Sequence, residues 1–248
     1  MKLSLIGAGP GDAELITLKA VRVLGEADVV LYDALANEEF LRYASEGAEI
    51  IYVGKRKGFH SVSQSEINRI IVQNALAGKH VVRLKGGDPV VFGRGFEEME
   101  FAESFGIETA LVPGISSSVA VPSIAGIPVT KRGVSESFWV ITGHTKDGSL
   151  PKDMKLAAQS NATIVILMGI SKLNEICEIF MRYGRADLPA GVIENGTRPD
   201  QRIITATVNN ISEKVTEHGF RNPAIIVFGE TVSCCPEYMK AVLAETYQ

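Results

Sequence analysis

Short apolar runs alternate with longer runs of helical period along the whole chain. Residues 3–6, 29–32, 50–53, 81–84 and 109–112 are dense in Val, Ile and Leu and read as buried strands. Helical stretches lie between them. The clearest begins at Ser63, with Glu66 three positions on, the spacing of a capping box. Ile67, Ile70, Ile71 and Ala75 then fall on one face, and Gly78 ends the helix. The rhythm continues with strands at 138–142, 163–168, 190–194, 202–208 and 224–228, and a helix at 172–182. Such alternation predicts an α/β fold with mostly parallel sheets. Ten strands are many for a single open sheet, so two α/β domains are expected, residues 1–113 and 114–248. The Pro-, Gly- and Ser-rich stretch 113–133 is the expected joint. Ligands of such sheets bind at the carboxyl ends of strands and often between domains.

Composition narrows the function. Hydrophobic residues make up 46% and charged residues 22%, enough for a real core and too apolar for a disordered chain. The net charge of −4 argues against a general nucleic-acid binder. No apolar run reaches the roughly 18 residues of a membrane span. The first residues run straight into a glycine turn, too soon for a signal peptide. Three cysteines, Cys177, Cys234 and Cys235, give no even framework, so reduced thiols and a cytoplasmic protein are expected. His60, His80, His144 and His218 lie far apart without metal-ligand spacing, so no metal is expected.

The excess is glycine, 24 residues, and their placement is informative. Gly7-Ala8-Gly9-Pro10-Gly11-Asp12 directly follows the first strand. A dinucleotide turn would need a third glycine at Asp12 and N–H groups aimed at a pyrophosphate. Pro10 removes one donor, and Asp12 would repel the phosphates. Asp33, at the end of the second strand, could still serve as a ribose acid, so the dinucleotide alternative stays open. So does a tight turn that binds nothing. A phosphate-free, cationic adenosine ligand suits the loop better. A second turn, Lys85-Gly86-Gly87-Asp88-Pro89, again sets an acid at a strand's carboxyl end, and Phe92-Gly93-Arg94-Gly95 follows. A third, Val53-Gly54-Lys55-Arg56-Lys57-Gly58, carries three consecutive cations. With Arg94, Lys131 and Arg132 they could line a basic pocket for a polyanion, or simply face solvent.

Together these residues resemble the tetrapyrrole methylases. The match runs through Gly7 to Asp12, Tyr32-Asp33, Val53-Gly54-Lys55-Arg56 and, above all, Arg83-Leu84-Lys85-Gly86-Gly87-Asp88-Pro89 with Phe92-Gly93-Arg94-Gly95. Gly126-Ile127-Pro128-Val129-Thr130, Thr142-Gly143-His144 and Glu194-Asn195-Gly196-Thr197 extend it over about residues 2–232. The resemblance implies a homodimer of two-domain α/β subunits with S-adenosylmethionine in the cleft between the domains. It implies transfer of two methyl groups to uroporphyrinogen III, at carbons 2 and 7, giving precorrin-2 for siroheme or cobalamin synthesis. It assigns cofactor binding to Pro10, Gly86, Gly87, Asp88, Val91, Ser116, Ser117, Met168 and Gly196. Asp33 is the implied proton acceptor and Lys55 the implied proton donor.

The chemistry agrees. Methyl transfer from a sulfonium is an in-line displacement served by alignment in a dry cleft. The nucleophile is a pyrrole carbon of the substrate, so no activated Ser or Cys is required. The macrocycle must afterwards lose a proton, which gives a carboxylate base a task. An octacarboxylate substrate gives the cations a purpose. Ala34, Phe96 and Ser116-Ser117 depart from residues common in the family, which bears on substrate contacts more than on the reaction. The competing classes are a later corrin methylase, an NAD-dependent oxidoreductase and a non-catalytic tetrapyrrole-binding module.

Overall fold

The computed structural model describes residues 1–54 and 62–240. They divide into two compact units, Met1–Ser116 and Ser117–Gln248. The division falls three residues beyond the expected boundary at 113/114.

The first unit holds strands β1 (Lys2–Gly7), β2 (Val29–Tyr32), β3 (Glu49–Tyr52), β4 (His80–Lys85) and β5 (Glu108–Val112). Helices α1 (Leu18–Gly25), α2 (Gln64–Leu76) and α3 (Gly95–Glu103) lie between them. The sheet order is β3-β2-β4-β1-β5, and every pairing is parallel. Strand alternation sorts two cores. Ile6, Val30, Val82 and Leu84 meet Ala20, Val23 and Leu24 of α1 on one face. Leu3, Leu5, Val29, Leu31 and Val81 meet Ile67, Ile71 and Ala75 of α2 and Ala102 of α3 on the other. Each such aliphatic side chain contributes about 1.5–3 kcal/mol on burial. The α2 cap is half of the expected box. Ser63 Oγ accepts from the Glu66 N–H at 3.2 Å, but the Glu66 carboxylate turns to Arg69, which donates to it at 2.6 and 3.1 Å.

The second unit holds α4 (Ser117–Ile124), β6 (Phe138–Thr142), α5 (Met154–Gln159), β7 (Thr163–Leu167), α6 (Leu173–Arg182), β8 (Pro189–Glu194), β9 (Arg202–Thr207), α7 (Ile211–Glu217) and β10 (Ala224–Phe228). The sheet order is β6-β7-β10-β8-β9. Only β6 and β7 pair in parallel; the β7–β10, β10–β8 and β8–β9 ladders are antiparallel. Over both sheets parallel strand pairs prevail, as expected, and the antiparallel strand ladders gather here. Residues 195–201 are too few for the crossover that a parallel β8–β9 pair needs. Ile164, Ile166, Val192, Ile226 and Phe228 form the core with Met154 of α5, Ile176, Cys177 and Phe180 of α6, and Ile211 of α7. Phe180 and Phe228 meet edge to face, centroids 4.9 Å apart.

All ten strands lie within one residue of their expected bounds. One shift matters: Met168 was expected to end a strand, but β7 stops at Leu167 and Met168 adopts φ +56°.

Candidate functional site

In the first unit the sheet's order brings distant loops together. β1 and β4 are neighbours in register, Gly7 opposite Lys85, so the two glycine loops leave the sheet side by side. Gly9 and Gly87 close an antiparallel bridge, each N–H donating to the other's carbonyl at 3.1 and 2.6 Å. The Ala8 N–H donates to the Lys85 carbonyl at 2.7 Å. These three N–H groups are therefore used inside the protein, and Pro10 has none. A pyrophosphate would find its usual donors spent, which weighs against the dinucleotide alternative. Asp12 is engaged too, accepting from the Glu14 N–H at 2.9 Å.

Backbone packing here leaves no room for side chains. A Cβ on Gly7 would lie 2.4 Å from the Gly114 backbone and 2.7 Å from the Gly87 carbonyl oxygen. A Cβ on Gly86 would lie 2.5 Å from Cβ of Leu35, in the turn that follows Asp33. Asp88 holds its own loop: Oδ1 accepts from the Val90 N–H at 2.9 Å and Oδ2 from the Gly114 N–H at 3.1 Å. The Val91 N–H reaches the Asp88 carbonyl at 3.3 Å. Asn37 Nδ2 donates to the Gly11 carbonyl at 3.0 Å, tying the segment after Asp33 to the first loop. Pro10, Asp33, Gly86, Gly87, Asp88 and Val91 thus gather at the carboxyl end of one sheet.

Asp33 is partly exposed and held at both oxygens. Oδ1 accepts from the Leu35 N–H at 3.1 Å, and Oδ2 from Arg83 at 2.7 Å. It does not cap the following short helix, Glu38–Tyr43, whose cap is Asn37. Arg83 belongs to β4, whose alternate positions Val81, Arg83 and Lys85 point away from the face of Val82 and Leu84. Its side chain is only 3% exposed, and it faces Glu98 of α3, which is fully buried. Glu98 Oε1 accepts from Lys85 Nζ at 3.1 Å and from Gln64 Nε2 at 2.9 Å. Burial, then the neighbouring Arg83 charge, pulls the Lys85 ammonium below its ordinary pKa, while Glu98 opposes the shift. Sequence reasoning assigned no role to Glu98, and quoted Arg83 and Lys85 only as letters of a motif. The available signal was two cations at alternate positions of an otherwise apolar strand, which demands a buried acid.

Lys55, Arg56, Lys57 and His60 lie outside the described residues. Arg94 is drawn to Glu97 of its own helix, with Nε–Oε1 at 3.0 Å and both groups about half exposed. Ser116 is half-buried and ends the first unit.

In the second unit, three loops carry candidate residues. Ser117, half-buried, opens α4. After β7, the Met168 carbonyl accepts from His144 Nδ1 at 3.1 Å, and a Cβ on Gly143 would lie 2.2 Å from Gly169 Cα. After β8, Gly196 lies on α4, where a Cβ would meet Val121 at 2.3 Å. Glu194 anchors that loop. It accepts from Arg202 Nε at 2.6 Å and the Arg221 N–H at 2.8 Å. Lys131 and Arg132 are exposed, and Lys131 Nζ lies 3.2 Å from Cys234 Sγ.

Backbone strain marks the same loops. Among the described residues the non-glycine positions with positive φ are Phe92, Arg94, Met168, Asn195 and Thr197. Each costs on the order of 1 kcal/mol. All five belong to loops that follow β4, β7 or β8, the loops that carry candidate residues. Strain concentrated in this way points to function.

Comparison with known proteins agrees. A family model described as Tetrapyrrole (Corrin/Porphyrin) Methylases matches residues 2–212. A uroporphyrinogen-III C-methyltransferase of Methanocaldococcus jannaschii is 50% identical over 94% of this chain and 97% of its own. One of the same name from Methanobacterium ivanovii is 52% identical over 92% and 96%. The crystal structure of the uroporphyrin-III C-methyl transferase from Thermus thermophilus complexed with S-adenyl homocysteine superposes with TM-score 0.80. It is 39% identical and covers 94% of this chain and 99% of that one.

Proposed function

The chain belongs to the tetrapyrrole (corrin/porphyrin) methylases, and on that premise we propose that it methylates uroporphyrinogen III from S-adenosylmethionine. Carbons 2 and 7 receive the methyl groups, and precorrin-2 is the product. The observation that carries this reading is near-full-length identity, 50% over 94% of this chain, to an enzyme of that name.

Bound S-adenosylmethionine supplies an electrophilic methyl group on a sulfonium. Pro10, Gly86, Gly87, Asp88, Val91, Ser116, Ser117, Met168 and Gly196 hold it in this reading. The glycine loops fit a ligand without phosphate, since their backbone is closely packed and the N–H groups of Ala8, Gly9 and Gly87 are spent. Asp33 accepts the proton that the macrocycle loses after attack. It suits the task because both oxygens are fixed while the group stays partly open to a ligand. Lys55, the proton donor in this reading, lies outside the described residues. Exposed Lys131 and Arg132 and half-exposed Arg94 are available to substrate carboxylates. The same reading includes a cytoplasmic homodimer; light scattering on the purified chain tests the dimer.

Anaerobic incubation with uroporphyrinogen III and S-adenosylmethionine, followed by mass spectrometry, tests the activity. The expected product carries two added methyl groups. No methylated product refutes the reading, and methylation of only a more advanced corrinoid moves the chain elsewhere in the family.

A further inference from the structure

We propose that Arg83 is a positioning residue that aims the Asp33 carboxylate, with Glu98 as its buried anchor. The proposal rests on the reading of Asp33 as proton acceptor and extends it to groups outside any ligand's reach.

The geometry is specific. Arg83 sits opposite Leu31 in the β2–β4 ladder, two residues before Asp33. Its guanidinium addresses three groups at once. One terminal nitrogen donates to Asp33 Oδ2 at 2.7 Å, the other to the Leu84 carbonyl at 2.8 Å, and Nε faces Glu98 Oε1 at 3.6 Å. A planar fork fixes these directions relative to one another; an ammonium on a flexible stem has three rotatable donors and does not. Glu98 is fixed from two further sides, by Lys85 of the same strand and Gln64 at the start of α2. The cluster holds two cations, Arg83 and Lys85, and two anions, Asp33 and Glu98, so it is neutral as a set.

Stability does not account for this arrangement. Buried ion pairs are frequently no better than apolar residues of equal volume. This one is also imperfectly satisfied: Arg83 Nε and Glu98 Oε2 are buried and lack hydrogen-bond partners among the described residues. What the cluster does achieve is to lock one carboxylate, and Asp33 is its single member open to a ligand. The remaining members are 8% exposed or less. Fixing a base within a fraction of an ångström is where such rigidity acts on rate.

The experiment is a double-mutant cycle on methyl transfer. Arg83→Lys keeps the charge and loses the fork. Its kcat is expected to fall about ten-fold, with KM for S-adenosylmethionine and the calorimetric affinity for S-adenosylhomocysteine unchanged. Glu98→Gln, which keeps shape and frees the anchor, is expected to shift kcat in the same direction. In an Asp33→Asn background, Arg83→Lys is expected to cost nothing further, because the group it aims is gone. An additive ten-fold loss there, or a loss confined to thermal stability with kcat intact, overturns the positioning role. Unchanged kcat for Asp33→Asn alone refutes the reading of Asp33 itself. Should Arg83→Lys fail to fold, the cycle is run with Glu98→Gln, and additivity with Asp33→Asn again overturns the proposal.

Discussion

The two units bury polar groups of different kinds. In the first, the hidden groups are chiefly ionic: Arg83, Lys85 and Glu98. In the second they are chiefly hydroxyls: Ser118, Ser135, Thr163, Thr205 and Thr231, with one acid, Glu194, paired to a half-exposed Arg202. Thr163 Oγ1 lies 3.1 Å from Ser135 Oγ and 3.0 Å from Thr231 Oγ1, a compact neutral network. Hydroxyls satisfy each other at small desolvation cost. Buried charges cost several kcal/mol each before pairing. On the proposed reading of Asp33, the difference teaches where the chemistry is concentrated. A fold that needed only stability would use the cheaper solution in both places, and the expensive one stands directly beneath Asp33.

That contrast can be broken. The largest effect belongs to Asp33→Asn in the first unit. Its kcat is expected to fall by about 10²–10⁴-fold while S-adenosylhomocysteine binding, read by calorimetry, stays intact. Next comes close packing within a loop of each unit. Gly7→Ala drives a Cβ into backbone of Gly114, which cannot yield. We expect a loss of about 3 kcal/mol in denaturant melts and of cofactor affinity. Gly196→Ala meets Cγ1, Cγ2 and Cβ of Val121 at 2.3, 2.6 and 2.9 Å, and rotation cannot move Cβ, so α4 must shift and about 2 kcal/mol is expected. Equal losses would erase the distinction between a loop closed by backbone and one closed by a side chain. Thr163→Val removes the hydroxyl that Thr231 meets, while Ser135 Oγ keeps the Ser137 carbonyl and the residue-163 N–H, and should cost about 1–3 kcal/mol of stability with turnover unchanged. A kinetic defect there would place chemistry in the neutral network as well.

The last effect appears only in alkali. Burial in the second unit's core pushes the Cys177 thiol up to about 12 from its ordinary 9.0. Above pH 9 the unfolded thiol ionises while the native one stays protonated, so stability falls as pH rises. At about pH 10 the loss is about 1.4 kcal/mol. Cys177→Ala should flatten this slope in melts taken from neutral pH upward, and an unchanged slope would assign it to other groups.

The ten strands were legible because short Val- and Ile-rich runs between turns admit little else. Their pairing was not. Strand direction in the second sheet depends on which neighbours meet in space, and local pattern carries only the hint of the short 195–201 connection. At the site, glycines and Asp33 stood out because turns and strand ends are marked in sequence. Glu98 did not: it lies within the acidic run Glu97-Glu98 of a helix start, where carboxylates are ordinary. Only the packing of α3 on the sheet reveals that one of these two neighbours faces solvent and the other faces Arg83.

The order β3-β2-β4-β1-β5 also has a consequence in time. Lys2 pairs with His80 and with Glu108, so β1 has no partner until β4 and β5 have been synthesised. At about 5–20 residues per second, an apolar strand therefore waits several seconds on the ribosome with both edges open. β8 and β9 need only their own short connection and can zip as soon as they emerge. In the half of the molecule that holds the ionic cluster, residues 8–79 thus separate the first strand from its first partner, against 143–162 between β6 and β7. Its early strand, Lys2–Gly7, is the segment most exposed to wrong partners during synthesis.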